Sequence, residues 1–161
     1  MPDSFTYFSY PTPHGPLTIR ANGRGVTDVA FGDCELTGKR EASRLTNQAA
    51  TELQEYFAGK RRVFTVRIDP AGSAFQKAVW NELAALPYGR TCTSSDIARA
   101  IGKPGAHRSV GTAVNRNPLS IIVPDHRVVD RAGGPLGTGK RARMRHALLA
   151  AEQRQDSTSM P

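Results

Sequence analysis

The stretch TSSDIARAIGKPGAHRSVGTAVN, residues 93–115, decides how the second half of the chain is built. Thr93 is a typical N-cap residue and predicts a short helix from there to Ile101. The Gly- and Pro-containing turn at 102–105 ends that helix, and a second helix is predicted over 106–115. Two short helices joined by a tight turn indicate a helix-turn-helix. Many helical hairpins share this pattern, so DNA binding is judged from the composition of the second helix.

The second helix is slim and is bordered by positive charge. Its small residues are Ser109, Gly111, Thr112 and Ala113, and the basic residues around them are Lys103, His107, Arg108 and Arg116. Small side chains let a backbone approach a DNA groove closely, and basic side chains contact phosphates. Tight packing against another helix is the alternative explanation of the small residues. We favour DNA binding because it explains the small residues and the charges together.

The positive charge of the chain is concentrated in the half that contains this motif. The 161 residues include 22 Lys plus Arg and 14 Asp plus Glu, a formal net charge of +8. Residues 1–70 hold 9 basic and 8 acidic side chains, whereas residues 71–161 hold 13 and 6. This asymmetry predicts a polyanionic partner for the second half, most simply nucleic acid. A basic surface that only keeps the protein soluble is the alternative.

Composition excludes several other classes of protein. The hydrophobic fraction is 39%, yet no apolar run approaches the roughly 20 residues of a membrane helix. The first ten residues lack the basic and apolar regions of a signal peptide. Cys34 and Cys92 make no disulfide framework, and neither has zinc-ligand spacing. We therefore expect an intracellular, cytoplasmic monomer without cofactor, metal or membrane association.

The chain is predicted to divide at residue 70 into two domains of an α+β fold. The first, 1–70, is expected to hold a small antiparallel sheet and one helix. The strands are predicted at Phe5–Tyr10, Pro16–Ala21 and Gly25–Phe31, the helix at Arg44–Ala58 after the N-cap Ser43, and a further strand at Arg62–Ile68.

The second domain, 71–161, is predicted to be mostly helical. Ser73 and Gln76 have the spacing of a capping box, which starts a helix that runs to Leu86. A last helix is expected over 140–153, followed by a disordered tail at 155–161.

A pair of ionisable residues interrupts an apolar segment between the helix-turn-helix and the last helix. The segment NPLSIIVPDHRVV spans residues 117–129 and contains Asp125 and His126. Charged groups beside buried aliphatic residues are costly unless they are paired, so this pair indicates either a functional site or a structural ion pair.

Six short motifs follow one another in the second half of the chain: FQKAVW (75–80), PYGRT (87–91), IGKPG (101–105), RSVG (108–111), NP (117–118) and PDHRVV (124–129). In these motifs, their order and their spacing, the sequence resembles the O6-alkylguanine-DNA alkyltransferases, which repair DNA by accepting its alkyl groups. The resemblance implies an N-terminal supporting domain and a helical domain whose helix-turn-helix enters the minor groove. It also implies that the target nucleotide is flipped into a pocket.

The resemblance assigns site residues, with one departure. The family's reactive Cys lies in a Pro-Cys-His-Arg motif, and here Asp125 follows Pro124 at that position. The resemblance makes His126 and Glu152 the relay that activates this position, and Asn117 the residue that braces its turn. The outline of the site is thus kept while the thiol is lost.

The DNA-binding and pocket residues are implied in the same way. Arg108 aligns with the arginine that fills the gap left by the flipped base. Lys103, His107 and Arg116 are expected to contact DNA because they surround the second helix with positive charge, and Arg127 is also expected to contact it. Two family tyrosines are replaced: the one that acts on the target phosphate by Ser94, and a pocket tyrosine in a Gly-Tyr-Ser/Ala-Gly-Gly loop by Thr138. Ser94 is therefore expected at the DNA, and Thr138 and Pro124 are expected to line the pocket.

The absent thiolate sets the functional expectation. We expect an alkyltransferase-like protein that binds O6-alkylguanine lesions by base flipping without transferring the alkyl group, with nucleotide excision repair proteins as possible partners. The first alternative is a DNA-repair enzyme that uses Asp125 for alkyl removal or base excision. The second is a diverged scaffold with no role in DNA repair.

Overall fold

The computed structural model describes residues 4–158 and separates them into two compact units. The first unit runs to Ala71 and also includes Pro118–Ile122. The second comprises Gly72–Asn117 and the chain from Val123 onward. A short piece of the segment before Asp125 therefore belongs to the first unit, which the sequence pattern did not indicate.

The first unit contains a four-stranded sheet in the order β3-β2-β1-β4. Its strands are β1 (Thr6–Tyr10), β2 (Leu17–Ala21), β3 (Val26–Phe31) and β4 (Lys39–Arg40). The first three pair antiparallel as predicted, but β4 runs parallel to β1, so the sheet is mixed. β4 escaped prediction because it is two exposed basic residues without any apolar alternation.

The predicted strand at Arg62–Ile68 is wrong. Within it only Ile68 forms a bridge, a single one with Val26. The segment is held instead by the buried carboxylate of Glu52, which accepts hydrogen bonds from the backbone N–H groups of Thr65 and Val66. A carboxylate thus satisfies backbone donors that a strand would have paired with another strand.

Helix α1 (Arg44–Phe57) lies in the first unit and begins where its capping chemistry predicts. The Ser43 hydroxyl accepts from the Thr46 N–H, and the Thr46 side chain accepts from the Ser43 N–H. Ala49 and Leu53, four residues apart, are fully buried and lie on the face of the helix that packs into the core.

The second unit contains α2 (Ala74–Ala84), α3 (Ser94–Ala100), α4 (His107–Asn115) and α5 (Gly139–Thr158). The first two are capped as predicted, by Ser73 and Thr93. Trp80 on α2 donates its indole N–H to the Ala113 carbonyl of α4 over 2.9 Å. This buried bond fixes α4 against α2 and leaves the opposite side of α4 exposed.

Helix α5 is longer than predicted, because residues 155–158 are helical rather than disordered. The Tyr88 hydroxyl donates to the Gln155 side-chain oxygen over 2.7 Å, a contact that a local pattern cannot reveal. The rest of the predicted tail, residues 159–161, lies outside the described residues. Within residues 4–158, no helix is long and apolar enough to cross a membrane.

Candidate functional site

The segment that leads to Asp125 is strained and tightly hydrogen bonded. Ile121 is buried and has a φ of +77°, a left-handed conformation that is costly for a β-branched residue. The Ile122 N–H donates to the Ser120 carbonyl over 3.0 Å, which closes a turn of only three residues. Asn117 donates its side-chain amide to the Val123 carbonyl over 2.8 Å and so spans this turn.

Asp125, His126 and Arg127 form one turn of 3₁₀ helix, and all three are buried. The turn is anchored to the strand-like segment at Cys92. The Cys92 N–H donates to the Arg127 carbonyl over 3.0 Å, and the Val129 N–H donates to the Cys92 carbonyl over 2.8 Å. These two bonds fix the C-terminal side of the turn, and the bond from Asn117 to the Val123 carbonyl fixes the N-terminal side.

The carboxylate of Glu152 on α5 is the centre of a buried ion-pair cluster. It lies 2.6 Å from His126 Nε2, and Arg127 donates to its two oxygens from Nε (2.8 Å) and Nη2 (3.0 Å). The Gly89 N–H supplies another hydrogen bond of 2.9 Å. Burial alone would raise the pKa of Glu152, but the hydrogen bonds from His126 and Arg127 outweigh it and hold the pKa well below its usual range.

Glycine is required at position 89 for this contact. Gly89 has a φ of +76°, and a Cβ there would approach the Asp156 side chain to 3.2 Å. The absent side chain lets the turn after α2 reach α5 closely enough to donate to Glu152.

Asp125 is the second buried carboxylate, and its partners differ from those of Glu152. Its Oδ2 accepts from the Asn117 amide over 3.1 Å, and its Oδ1 accepts from Arg145 Nε over 3.3 Å. Arg141 lies further off, with Nη2 at 3.9 Å from Oδ2. The structure thus brings together four predicted residues, namely Asn117, Asp125, His126 and Glu152.

Arg145 and Arg141 were missed by sequence reasoning, although a signal exists. Both lie on the α5 face that also carries Glu152, because positions 141, 145 and 152 are spaced by one and two helical turns. The Arg145 side chain is 2% exposed. Its Nη1 donates to Asn115 Oδ1 (2.8 Å) and to the Leu136 carbonyl (2.9 Å), whereas its buried Nη2 has no hydrogen-bond partner within residues 4–158.

The prediction that Arg127 contacts DNA is contradicted by its position. The residue is 5% exposed, and its guanidinium donates to Glu152 and, over 2.7 Å, to the Leu86 carbonyl. A basic residue whose donors are used in a buried ion pair does not reach a phosphate outside. The partner that buries it is 25 residues away in sequence, beyond the reach of a local pattern.

The other predicted DNA contacts lie on the outside of the second unit. Lys103, His107, Arg108 and Arg116 are all exposed, and the Lys103 ammonium lies 5.4 Å from the centre of the Phe75 ring. These positions are compatible with contact to a polyanion.

The small residues of α4 serve two purposes. Ala113 is buried against α2, and a Cβ at Gly111 would lie 3.7 Å from the Ser94 hydroxyl of α3. These two residues therefore permit close helix packing, which was the alternative explanation, while Ser109 and Thr112 are exposed. Ser94 itself is half-buried beside α4.

The two predicted pocket residues differ in exposure. Thr138 is exposed, directly before α5, whereas Pro124 is buried next to Asp125.

Cys92 does not have the features of a nucleophile. Burial, together with the nearby charges of Asp96 and Glu82, raises the pKa of the Cys92 thiol to about 11. Such a thiol is almost entirely protonated at neutral pH and reacts slowly. Within the described part of the chain, no group of three or more His, Cys, Asp or Glu side chains is placed to hold a metal ion.

Two family profiles together match most of the chain. The "6-O-methylguanine DNA methyltransferase, DNA binding domain" matches residues 74–154, and the "6-O-methylguanine DNA methyltransferase, ribonuclease-like domain" matches residues 5–70.

Individual relatives agree with the profiles. The methylated-DNA–protein-cysteine methyltransferase of Methanosarcina barkeri is 38% identical over 151 residues, covering 88% of this chain and 93% of the relative. That of Mycobacterium leprae is 36% identical and covers 94% of both chains. Among solved structures, Mycobacterium tuberculosis O6-methylguanine methyltransferase matches with a TM-score of 0.82, 35% identity and 94% coverage of both chains. Mycobacterium tuberculosis OGT in complex with DNA matches with a TM-score of 0.84, 36% identity, and coverage of 93% of this chain and 94% of that one.

These relatives correct the functional expectation. Proteins that match this chain over 88–94% of its length are named methyltransferases, which contradicts the expectation of a lesion-binding protein without alkyl transfer. The profiles, the relatives and the fold agree: the chain belongs to the 6-O-methylguanine DNA methyltransferase family.

Proposed function

We propose that this protein removes the alkyl group from O6-alkylguanine in duplex DNA and that Asp125, at the position of the family's reactive Cys, is the alkyl acceptor. The observation that carries the proposal is the seating of Asp125. Its carboxylate is buried, aimed by Asn117 and Arg145, and located on the same 3₁₀ turn as His126, which Glu152 orients. The division at residue 70 into a supporting domain and a DNA-binding domain is part of the proposal.

The proposed reaction has two steps. A carboxylate oxygen of Asp125 attacks the alkyl carbon, the bond from that carbon to guanine O6 breaks, and its electron pair remains on O6. The purine takes a proton from water, which yields guanine, and Asp125 becomes an alkyl ester. A second water then hydrolyses the ester, releasing an alcohol and a proton and restoring the carboxylate. In this step His126, the neighbour of Asp125 on the same 3₁₀ turn, acts as the base toward that water.

A carboxylate is a weak nucleophile toward an alkyl ether, so the site must contribute through organisation. Holding reactants in a reactive geometry corresponds to effective molarities of about 10⁵–10⁸ M. The Asn117 bridge and the anchored 3₁₀ turn supply a fixed position for Asp125. A carboxylate oxygen can accept two hydrogen bonds. Oδ2 of Asp125 accepts one, from Asn117, so it keeps a lone pair for attack.

DNA binding is assigned to the exposed side of α4. Arg108, Lys103, His107 and Arg116 surround this helix with positive charge that neutralises phosphates. In the proposal, Arg108 enters the base stack as the target nucleotide rotates outward to reach Asp125. The matching DNA-binding profile supports this assignment.

The decisive experiment follows the alkyl group by intact mass of both partners. Protein is incubated in H₂¹⁸O with a duplex that contains one O6-methylguanine. One experiment uses a molar excess of protein over duplex, and a second uses a molar excess of duplex over protein. The expected result is loss of one methyl group from the DNA, turnover beyond one equivalent, and entry of ¹⁸O into Asp125 by attack of water on the ester carbonyl. Asp125→Asn is the matched control and should leave the methyl group on the DNA. A duplex that stays methylated with excess wild-type protein, or that loses the whole base, contradicts the proposal.

The role of Arg108 is tested by comparing two DNAs. Arg108→Ala should weaken binding to the lesion duplex by about 1–3 kcal/mol, the value of one stacking contact, and weaken binding to undamaged duplex less. Arg116→Ala removes an exposed charge without the stacking role and should affect both DNAs equally. Equal losses for Arg108→Ala would reduce Arg108 to an electrostatic contact.

A further inference from the structure

We infer that Arg145 is a catalytic residue whose Nη2 donates a hydrogen bond to the guanine oxygen that leaves when the alkyl group is transferred. The inference rests on the proposed function and adds to it the group that stabilises the leaving oxygen. Arg145 belongs to none of the motifs that relate the sequence to its family.

The buried Arg145 side chain has a hydrogen-bond donor that no acceptor within the described residues uses. Arg145 is 2% exposed on its side chain, and its Nε and Nη1 donate to Asp125, Asn115 and the Leu136 carbonyl. Gly137 makes room for the guanidinium, since a Cβ there would approach Nη1 to 3.3 Å. The remaining nitrogen of this side chain, Nη2, is buried and has no hydrogen-bond partner within residues 4–158. A buried charged donor without an acceptor costs free energy, which a ligand acceptor at that place would recover.

The direction of that donor follows from the planar geometry of the guanidinium. In a guanidinium, the Nε–H and one Nη2–H bond are parallel and form a fork that grips two acceptors side by side. Arg127 uses its fork fully, with one prong on each oxygen of Glu152 at 2.8 and 3.0 Å. Arg145 uses only the Nε prong, on Asp125 Oδ1 at 3.3 Å. The open prong therefore lies beside the acceptor carboxylate, where the reacting alkyl ether must lie.

The proposed reaction needs a hydrogen-bond donor at the leaving oxygen of guanine. As the bond from carbon to O6 breaks, negative charge develops on O6, and a weak nucleophile makes this charge development the difficult part of the step. A fixed donor aimed at a developing oxyanion contributes about 10²–10³ in rate. Arginine stays protonated, so Arg145 donates a hydrogen bond and not its proton, and the proton on the product guanine comes from water.

The test compares two leaving groups. Single-turnover methyl transfer is measured over a range of pH from duplexes that contain O6-methylguanine or O6-methylhypoxanthine. The second purine lacks the electron-donating 2-amino group and stabilises the leaving oxygen better by itself. Wild-type protein is compared with Arg145→Gln and Arg145→Lys, and with Arg143→Gln as the control, an exposed arginine on the same helix.

Arg145→Gln is expected to slow transfer from O6-methylguanine by about 10²–10³ and transfer from O6-methylhypoxanthine by clearly less. Its rate should also rise as pH falls, because the leaving oxygen then takes its proton from solvent during the step. Arg145→Lys keeps the charge beside Asp125 but loses the fork, and it should show the same leaving-group sensitivity in a folded protein if the Gln variant is unstable. Arg143→Gln should match wild type.

Two outcomes overturn the inference, and they are distinguishable. If wild-type protein transfers methyl groups and both Arg145 variants keep its leaving-group and pH dependence, Arg145 only positions Asp125 and the proposed function stands. If wild-type protein transfers from neither duplex, the proposed function fails and this inference fails with it.

Discussion

Two buried carboxylates of the same unit, Glu152 and Asp125, are held in opposite ways. Glu152 takes part in four hydrogen bonds of 2.6–3.0 Å, which occupy the four acceptor positions of a carboxylate. Asp125 takes part in two, of 3.1 and 3.3 Å, within the described residues. A saturated carboxylate has no lone pair for chemistry, so it stabilises the fold and orients His126. Asp125, the less occupied carboxylate, keeps lone pairs free, and it is the one that we propose reacts with the substrate.

Glu152→Gln tests the saturated side of this comparison and should have the largest effect. The amide replaces an acceptor by a donor that faces the Arg127 guanidinium, and a buried cation loses its counter-charge. We expect the free energy of unfolding to fall by about 3–5 kcal/mol in urea denaturation. The control is Glu55→Gln, which breaks the half-exposed 2.9 Å pair with Arg61 and should cost about 0–1 kcal/mol. Similar losses for the two variants would show that the cluster is not structural.

Asp125→Asn tests the less occupied carboxylate and should abolish activity with only a moderate loss of stability. Asparagine keeps an acceptor for Arg145 and has fewer and longer bonds to lose, so we expect a loss of about 1–3 kcal/mol in the same denaturation. Methyl transfer from O6-methylguanine should vanish in a protein that remains folded. If the variant is destabilised as much as Glu152→Gln, the two carboxylates have the same structural role and the comparison fails.

The pH dependence of stability should identify Glu152 specifically. Its pKa is lowered in the folded protein, so its contribution is complete above the unfolded value of about 4.3 and is lost as pH falls below it. The unfolding free-energy gap between wild type and Glu152→Gln should therefore be constant above about pH 5.5. Between pH 4 and pH 3 it should shrink by about 1 kcal/mol, within the 1.4 kcal/mol per pH unit that one proton allows. A gap that stays constant down to pH 3 would contradict the depressed pKa.

The sequence predicted the elements whose signals are local. Ser43, Ser73 and Thr93 mark helix starts because capping involves residues only three positions apart. The resemblance placed Asn117 and Glu152 in the site of Asp125, and the structure brings them there. Strand β4 was missed because two exposed basic residues pair through the backbone alone.

What the sequence could not predict depends on contacts between distant residues. The sequence predicts Arg127 to contact DNA, because nothing in its local sequence indicates that it pairs with Glu152 on another element. Arg145 was missed because it stands among exposed cations at the start of α5, where a single buried member cannot be told apart. In both cases a basic side chain is buried beside a carboxylate, and the local sequence does not reveal this because basic residues are mostly exposed.

The smallest predicted effect lies at the rim of the Glu152 cluster, at Tyr88. Its hydroxyl donates to Gln155 over 2.7 Å, and its ring lies 5.6 Å from the Arg127 guanidinium. Tyr88→Phe keeps the ring and removes the hydroxyl, so we expect unfolding to become easier by about 0.5–1.5 kcal/mol with methyl transfer unchanged.

The control is Tyr10→Phe, which removes a tyrosine hydroxyl that is hydrogen bonded to Thr46 and Asn47 in the other unit. Hydrogen exchange separates the two variants. Amides at the end of α5 should exchange faster in Tyr88→Phe only, because its lost bond holds that last turn. Equal exchange in both variants would mean that the Glu152 cluster alone holds α5, and that the hydrogen bond from Tyr88 to Gln155 does not stabilise its last turn.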